Sequence, residues 1–257
     1  MDFTEEQIHR YARHILLPEV GGVGQAKLLA SKVLAIGAGG LGSPLILYLA
    51  AAGVGTIGVV DDDVVELSNL QRQILHVTGS IGSAKVDSAK RAVAAINPDV
   101  TLVPHRLRLT EDNAHALIAQ YDLVADGSDN FSTRFLVNDA ARAEGKTLVS
   151  AAVLRFEGQI STFKPGGPCY RCLHPGDLSG ADGPNCGQAG VFGAMAGLMG
   201  SLQAMEVLKE LLGIGDSLSG SLLLVDGLSA SFRKVRLKQD PACPCCGGGA
   251  QRRPLGA

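Results

Sequence analysis

The sequence predicts an α/β fold, a doubly wound and mostly parallel sheet that continues into an antiparallel C-terminal extension. Three observations predict it. The apolar run Val33 to Ile36 ends in the loop Gly37-x-Gly39-Gly40-x-Gly42, and an apolar helical stretch follows. That is the strand–turn–helix opening of a Rossmann-like sheet. Strand-like and helix-like segments then alternate to about residue 155, the rhythm of parallel strands joined by crossover helices. Beyond it the rhythm changes, and "EGQISTFKP" alternates apolar with polar residues as an antiparallel strand does.

In chain order, Thr4 and Gln7 stand at the spacing of a capping box. Ile8, Tyr11, Ala12 and Ile15 follow at helical spacing, so a surface helix covers roughly residues 5–16. "KLLASKVLAIG" leads into the first strand. Ser43-Pro44 opens the helix after the glycine loop, where the missing N–H of proline costs nothing. "GTIGVVDDD" is a second strand ending in acids. "SAKVDSAKRAVAAINP" is a helix stopped by Pro98, with Val86, Ala89, Val93 and Ile96 on one face. "VTLVPHRL", "YDLVADGSD" and "KTLVSAAV" supply further strands. The long helix "AGVFGAMAGLMGSLQAMEVLKELLG" is apolar nearly all round, which predicts burial. "GSLLLVDGLSASFRKVRL" adds one or two late strands. With no repeat or low-complexity linker, residues 1–257 read as one domain, in two parts that meet near residue 155.

Composition limits the partners. Lys and Arg number 23 against 25 Asp and Glu, so no basic excess attracts nucleic acid or an anionic membrane. Tryptophan is absent, leaving little to stack on bases. The N-terminus opens acidic and charged, unlike a signal peptide. Val33 to Val60 carries no charge, yet it holds Pro44 and many glycines, which fits a buried βαβ unit better than a membrane span. A soluble cytoplasmic protein without nucleic-acid or membrane partners is the expectation.

Several residues suit chemistry. Gly37 permits a tight turn, Gly39 lets the backbone reach a phosphate, and Gly42 lets helix and strand pack closely. The helix N-terminus then offers free N–H groups to an anion, and Asp61 ends the next strand where it could bond a ribose hydroxyl. The alternative is a glycine-rich turn without a ligand. In "VVELSNLQRQILH", Leu67, Leu70 and Ile74 fall on one face of a short helix and Asn69, Arg72 and Gln73 on the other. A guanidinium beside two amides suits phosphate recognition; a solvated polar face is the competing reading. Lys85 starts a helix and Asp129 follows a strand, so with Asp61 they could converge where open α/β sheets bind ligands. A solvated lysine and a helix-capping aspartate are the bland alternatives.

The cysteines fall into two groups with one left over. Cys169-x-x-Cys172 and the group Cys243, Cys245 and Cys246 give two half-sites for a four-thiolate zinc site that pins the tail. Cys246 is preferred to Cys245 as the fourth ligand, because C-x-x-C then matches the first pair. Disulfides are disfavoured in a cytosolic enzyme. Cys186 stands alone in a Gly/Pro-rich loop, either as a reactive thiolate or as a bystander.

Together, "RYARHILL", "GAGGLGSP", "VVDDDVVELSNLQRQILH", "GSAKVDSAKRAVAAINP", "DGSDNFSTR", "EGQISTFKPGGPCYRCL", "GSLQAMEVLKELLG" and the terminal cysteines resemble the MoeB/ThiF family over nearly the whole chain. These are bacterial relatives of ubiquitin-activating enzymes. The resemblance implies ATP-dependent adenylation of the C-terminal Gly-Gly carboxylate of a small ubiquitin-like sulfur carrier, the step before thiocarboxylate formation. It further implies that Gly37, Gly39, Gly40, Gly42, Asp61 and Asp63 hold the nucleoside. Asn69, Arg72, Gln73 and Lys85 would contact phosphates, and Asp129 would bind magnesium. Arg13 would reach into the partner subunit's site of a homodimer. Residues to about 155 would then bind nucleotide, and 156–257 would bind carrier and zinc. Cys186 matches a position where some members handle sulfur. With no long C-terminal extension, the sulfur donor would be separate, a cysteine desulfurase or a rhodanese-type protein. Two other readings compete: an NAD-dependent oxidoreductase, suggested by the glycine loop alone, and a non-catalytic carrier-binding scaffold.

Overall fold

A computed structural model describes residues 3–175 and 189–247. Eight strands form one sheet in the order β3-β2-β1-β4-β5-β6-β7-β8. The first five, β1 (Lys32–Ile36), β2 (Thr56–Val60), β3 (Thr101–His105), β4 (Leu123–Asp126) and β5 (Thr147–Leu154), pair in parallel. Three more, β6 (Glu157–Phe163), β7 (Ser221–Asp226) and β8 (Ser231–Arg236), extend it antiparallel. The change of rhythm near residue 155 is thus the β5–β6 hairpin, and the late segment gives two strands.

Alternation along each strand divides the core. Val33 and Ala35 face α3 (Gly42–Ala52), α4 (Lys85–Ile96) and the long α8 (Gly193–Leu212). Leu34 and Ile36 face α5 (Glu111–Ile118), α6 (Phe131–Ala143) and the short α7 (Tyr170–Leu173). Two-sided burial explains why these strands read as continuous apolar runs. Two helices precede the sheet, α1 (Glu5–Ile15) with its Thr4–Gln7 capping box, and α2 (Gly21–Ala30). Three glycines in its "GGVGQAKLLA" hid α2 from the sequence reading. Tertiary bonds outweigh that weak propensity: buried Gln25 donates to the Ala52 carbonyl at 2.9 Å and pairs with His14 Nδ1 at 3.1 Å.

The long apolar helix is less enclosed than its composition implies. Met199, Gly200, Gln203 and Val207 are buried, but Leu198 and Met205 are exposed. Its apolar girth exceeds the stripe that the sheet, α2 and α3 can cover.

Candidate active site

The parallel strands deliver their C-terminal ends to one crevice. β1 passes into the glycine loop, β2 ends before Asp61, and β4 ends at Asp126 shortly before Asp129. Because β1 lies between β2 and β4, this is the switch point at which open α/β sheets bind ligands. Gly37 adopts φ 91°, reserved in practice for glycine. A Cβ on Gly42 would collide with the Gly37 carbonyl, so the α3 helix can sit against the loop only with glycine there.

Asp61 is built into this loop. One carboxylate oxygen accepts the Ala38 N–H at 2.8 Å and the other accepts the Asp63 N–H at 2.9 Å. Among the described residues, the N–H groups of Gly39, Gly40 and Leu41 have no protein acceptor. They precede α3, so its positive dipole end and these donors suit an anion.

The helix expected over Leu67 to Ile74 does not form. Leu67–Asn69 is a single 3₁₀ turn, followed by further turns. The predicted faces are also reversed: Leu67 is 72% exposed and Ile74 61%, whereas Asn69 and Gln73 are buried. Periodicity shows which residues share a side, not which side meets the core. Here the polar side meets the glycine loop. A Cβ at Gly40 would lie 3.5 Å from Arg72 Cγ, and one at Gly39 would lie 3.8 Å from Gln73 Nε2. Arg72 also donates to the Ser68 carbonyl at 3.0 Å, and Asn69 Oδ1 accepts the Glu66 N–H at 3.1 Å. The solvated polar face is therefore excluded for Asn69 and Gln73.

Lys85 is likewise not a solvated lysine. Its side chain is 7% exposed, and Nζ meets the exposed carboxylate of Asp63 at 2.8 Å. Asp129 is exposed beyond β4, and the helix cap is its neighbour: Asn130 Oδ1 accepts the Thr133 N–H at 2.8 Å. The same loop is gripped by buried Arg134, which donates to the Ser128 carbonyl, and by Asp126, which accepts the Ser128 N–H at 2.9 Å. Gln73 Oε1 and the Ser128 hydroxyl are buried without a partner among the described residues. Unpaired buried polar atoms are costly, and these two border the glycine loop, so a polar ligand fits the crevice. Arg13 is exposed on α1 and makes no hydrogen bond or ion pair to any of these residues. Cys186 lies outside the described residues.

The four cysteines chosen from spacing do converge. The sulfurs of Cys169, Cys172, Cys243 and Cys246 all lie within 4.8 Å of one another. Cys169 and Cys243 approach to 3.6 Å, and Cys172 and Cys246 to 3.2 Å. Tetrahedral zinc–sulfur bonds place sulfurs about 3.8 Å apart, so this donor set fits zinc. Cys245 stands outside the group, taking the Asn138 amide N–H at 3.6 Å. Thiol hydrogen bonds, first from Cys245, hold the Cys169 thiol down to about 4 in spite of its burial. Cys245 is pushed up chiefly by that same bond, and Cys243 and Cys246 chiefly by burial. A bound dication would instead favour four thiolates.

The cysteine knuckle is bolted to α6. Arg171 forms a bidentate pair with Asp139, at 2.9 and 2.6 Å, and lies over the Phe135 ring. Asn138 Oδ1 accepts the Tyr170 N–H at 2.8 Å.

Sequence reasoning assigned nothing to His76, Arg134 or Asn138, although the first two stand inside quoted motifs. Buried His76 bonds the Ala38 carbonyl through Nε2 at 2.9 Å and the Ser88 hydroxyl through Nδ1 at 3.0 Å. Burial pushes its pKa down. A lone histidine closing an apolar motif gave no periodic signal.

Comparison with known proteins accords with this geometry. The family model described as the ThiF family matches residues 11–245. The chain is 49% identical over 243 residues to the SAMP-activating enzyme E1 of Haloferax volcanii, covering 95% of this chain and 90% of that one. It is 48% identical over 261 residues to the sulfur carrier protein adenylyltransferase of Thermus thermophilus, covering 99% and 96%. Against the adenylyltransferase and sulfurtransferase MOCS3 of Sus scrofa, identity is 50%, over 95% of this chain but 54% of that protein. Among solved structures, Escherichia coli MccB with MccA-N7isoASN superposes with a TM-score of 0.81 at 21% identity, over 93% of this chain and 75% of that one. That likeness is one of fold.

Proposed function

The chain belongs to the ThiF family, and from that premise we propose that it adenylates the C-terminal Gly-Gly carboxylate of a ubiquitin-like sulfur carrier protein. The observation that carries the reading is the packing of the Asn69–Arg72–Gln73 segment on the glycine loop, beside buried Lys85. Two cations and two amides grouped there suit the higher negative charge of a triphosphate.

A C-terminal carboxylate is ionised at neutral pH, its ordinary pKa being about 3.3–3.7, so no general base is needed. One carboxylate oxygen attacks the α-phosphorus. The bond from that phosphorus to the bridging oxygen breaks, and pyrophosphate leaves with the electron pair. The free N–H groups of Gly39, Gly40 and Leu41 receive phosphate oxygens. Asn69, Arg72, Gln73 and Lys85 neutralise charge that grows in the transition state. Asp61 and Asp63 hold the nucleoside end. Asp129 would hold magnesium, which would supply positive charge to offset that of the phosphates. Cys169, Cys172, Cys243 and Cys246 would hold a structural zinc that ties the C-terminal cysteines to the knuckle on α6. Residues to about 155 serve the nucleotide, and those beyond serve carrier and zinc.

The enzyme acts as a cytoplasmic homodimer in which Arg13 completes the partner subunit's site. Supporting this are Arg13, exposed and without an ion pair among the described residues, and the exposed apolar side chains Leu67, Ile74, Val77 and Ile81 in one short stretch of chain, of the kind that marks an interface. Sulfur comes from a separate donor, a cysteine desulfurase or a rhodanese-type protein, and Cys186 takes part in its transfer. Among the described residues, no helix is long and apolar enough to cross a membrane.

The test is ATP–pyrophosphate exchange with each candidate carrier. Exchange that requires an intact Gly-Gly terminus is expected. Tight NAD binding without exchange for any carrier overturns the proposal.

A further inference from the structure

The hydrogen bonds around the glycine loop close into a circuit. The Ala38 N–H goes to Asp61, and Asp61 also accepts the Asp63 N–H. Asp63 pairs with Lys85 at the first turn of α4. Ser88, three residues along the same helix, bonds His76 Nδ1, and His76 Nε2 returns to the Ala38 carbonyl. A carbonyl only accepts, so Nε2 carries the proton and Nδ1 accepts from the Ser88 hydroxyl. That assignment satisfies both ring nitrogens of a buried, neutral imidazole.

His76 also belongs to the Asn69–Gln73 segment, since its N–H donates to the Gln73 carbonyl at 3.0 Å. One side chain thereby joins three elements, the glycine loop, the segment carrying Arg72, and the helix carrying Lys85. We infer that His76 is a positioning residue for nucleotide binding, setting the free N–H groups of the loop in register with Arg72 and Lys85. It does not touch the reacting atoms. The inference rests on the adenylation reading above, and it assigns the imidazole a role in ATP affinity rather than in carrier recognition.

The ring volume could matter for packing alone, so the variants separate shape from bonding. His76→Leu keeps the bulk and removes both bonds. His76→Gln restores an N–H donor near the Nε2 position. Ser88→Ala removes only the bond to Nδ1. Calorimetric ATP affinity and exchange kinetics are measured for each. In His76→Leu, the KM and Kd for ATP should rise about tenfold, the effect of leaving the buried Ala38 carbonyl without its partner. The KM for the carrier stays unchanged. His76→Gln should recover most of the ATP affinity, and Ser88→Ala should lose a few-fold. Should His76→Leu fail to fold, the Ser88→Ala and His76→Gln values decide by the same comparison. Wild-type ATP affinity in His76→Leu with only a lower melting temperature overturns the inference, as does a Gln variant no better than Leu. Because ATP affinity is read without a carrier, a wild-type chain that binds ATP but catalyses no exchange counts against the adenylation reading alone.

Discussion

A methyl group on Gly42 tests whether the glycine loop sets the catalytic geometry. A Cβ there would sit 2.9 Å from the Gly37 carbonyl carbon and closer still to its oxygen, whereas ordinary contact begins at 3.4 Å. Neither neighbour is the end of a flexible side chain; both are backbone atoms of the loop. The loop must therefore retreat from α3 by on the order of 1 Å, carrying Gly39 and Gly40 with it. A displacement of about that size at an orienting element costs roughly 100-fold in rate, or about 2.7 kcal/mol of transition-state stabilisation. Overpacking should lower stability by about 1–3 kcal/mol. Gly42→Ala is assayed by ATP–pyrophosphate exchange at saturating carrier and by thermal denaturation, with Gly79→Ala as control. A Cβ at Gly79 would meet nothing within 4 Å. The expected outcome is a large fall in kcat/KM for ATP in Gly42→Ala and none in the control. Wild-type exchange in Gly42→Ala would refute the role given to loop position.

Three further outcomes are expected. Asp129→Ala should abolish exchange while carrier binding, measured by titration, survives; wild-type rates would remove Asp129 from the site. Mixing inactive Arg13→Ala with inactive Asp129→Ala should restore roughly a quarter of wild-type activity, because half the random dimers hold one complete site; no recovery after subunit exchange counts against Arg13 acting in trans. Stability should fall as pH drops through about 6.5, since burial lowers the folded pKa of both His76 and His105. The unfolded chain then binds protons that the folded chain does not, so stability grows with pH up to the unfolded value and levels off above it. A melting temperature that stays flat from pH 7 to pH 5 contradicts the buried neutral assignment.

The parallel core was legible because its signals are local. Alternating apolar runs, the glycine loop and Pro98 each act within a few residues, and the strands and α4 lie where they indicate. The paired C-x-x-C spacing gave the sulfur cluster for a similar reason: a metal site constrains residue type tightly. What failed was orientation. The Leu67–Ile74 pattern separated Leu67 and Ile74 from Asn69 and Gln73 but left Leu70 and Arg72 alike half-buried, and because the core for that segment is a polar loop, the amides went in and Leu67 and Ile74 went out. Buried Gln25 and His76 were invisible because each finds its partners more than ten residues away in sequence. Periodicity along the sequence does not register such a bond.

The bolt between the cysteine knuckle and α6 has a consequence for the timing of synthesis. Its two sulfur pairs are separated by 74 residues. A ribosome adding about 5–20 residues per second needs roughly 4–15 s to pass from one pair to the other. Throughout that interval the glycine loop, Lys85 and Asp129 have all been made, while Cys169 and Cys172 still wait for the tail. Metal cannot be enclosed by four thiolates before β8 has left the ribosome. If zinc fills this site, its enclosure would thus come last, after every strand of the sheet has been made, and a cell short of the metal would accumulate molecules lacking only the clasp.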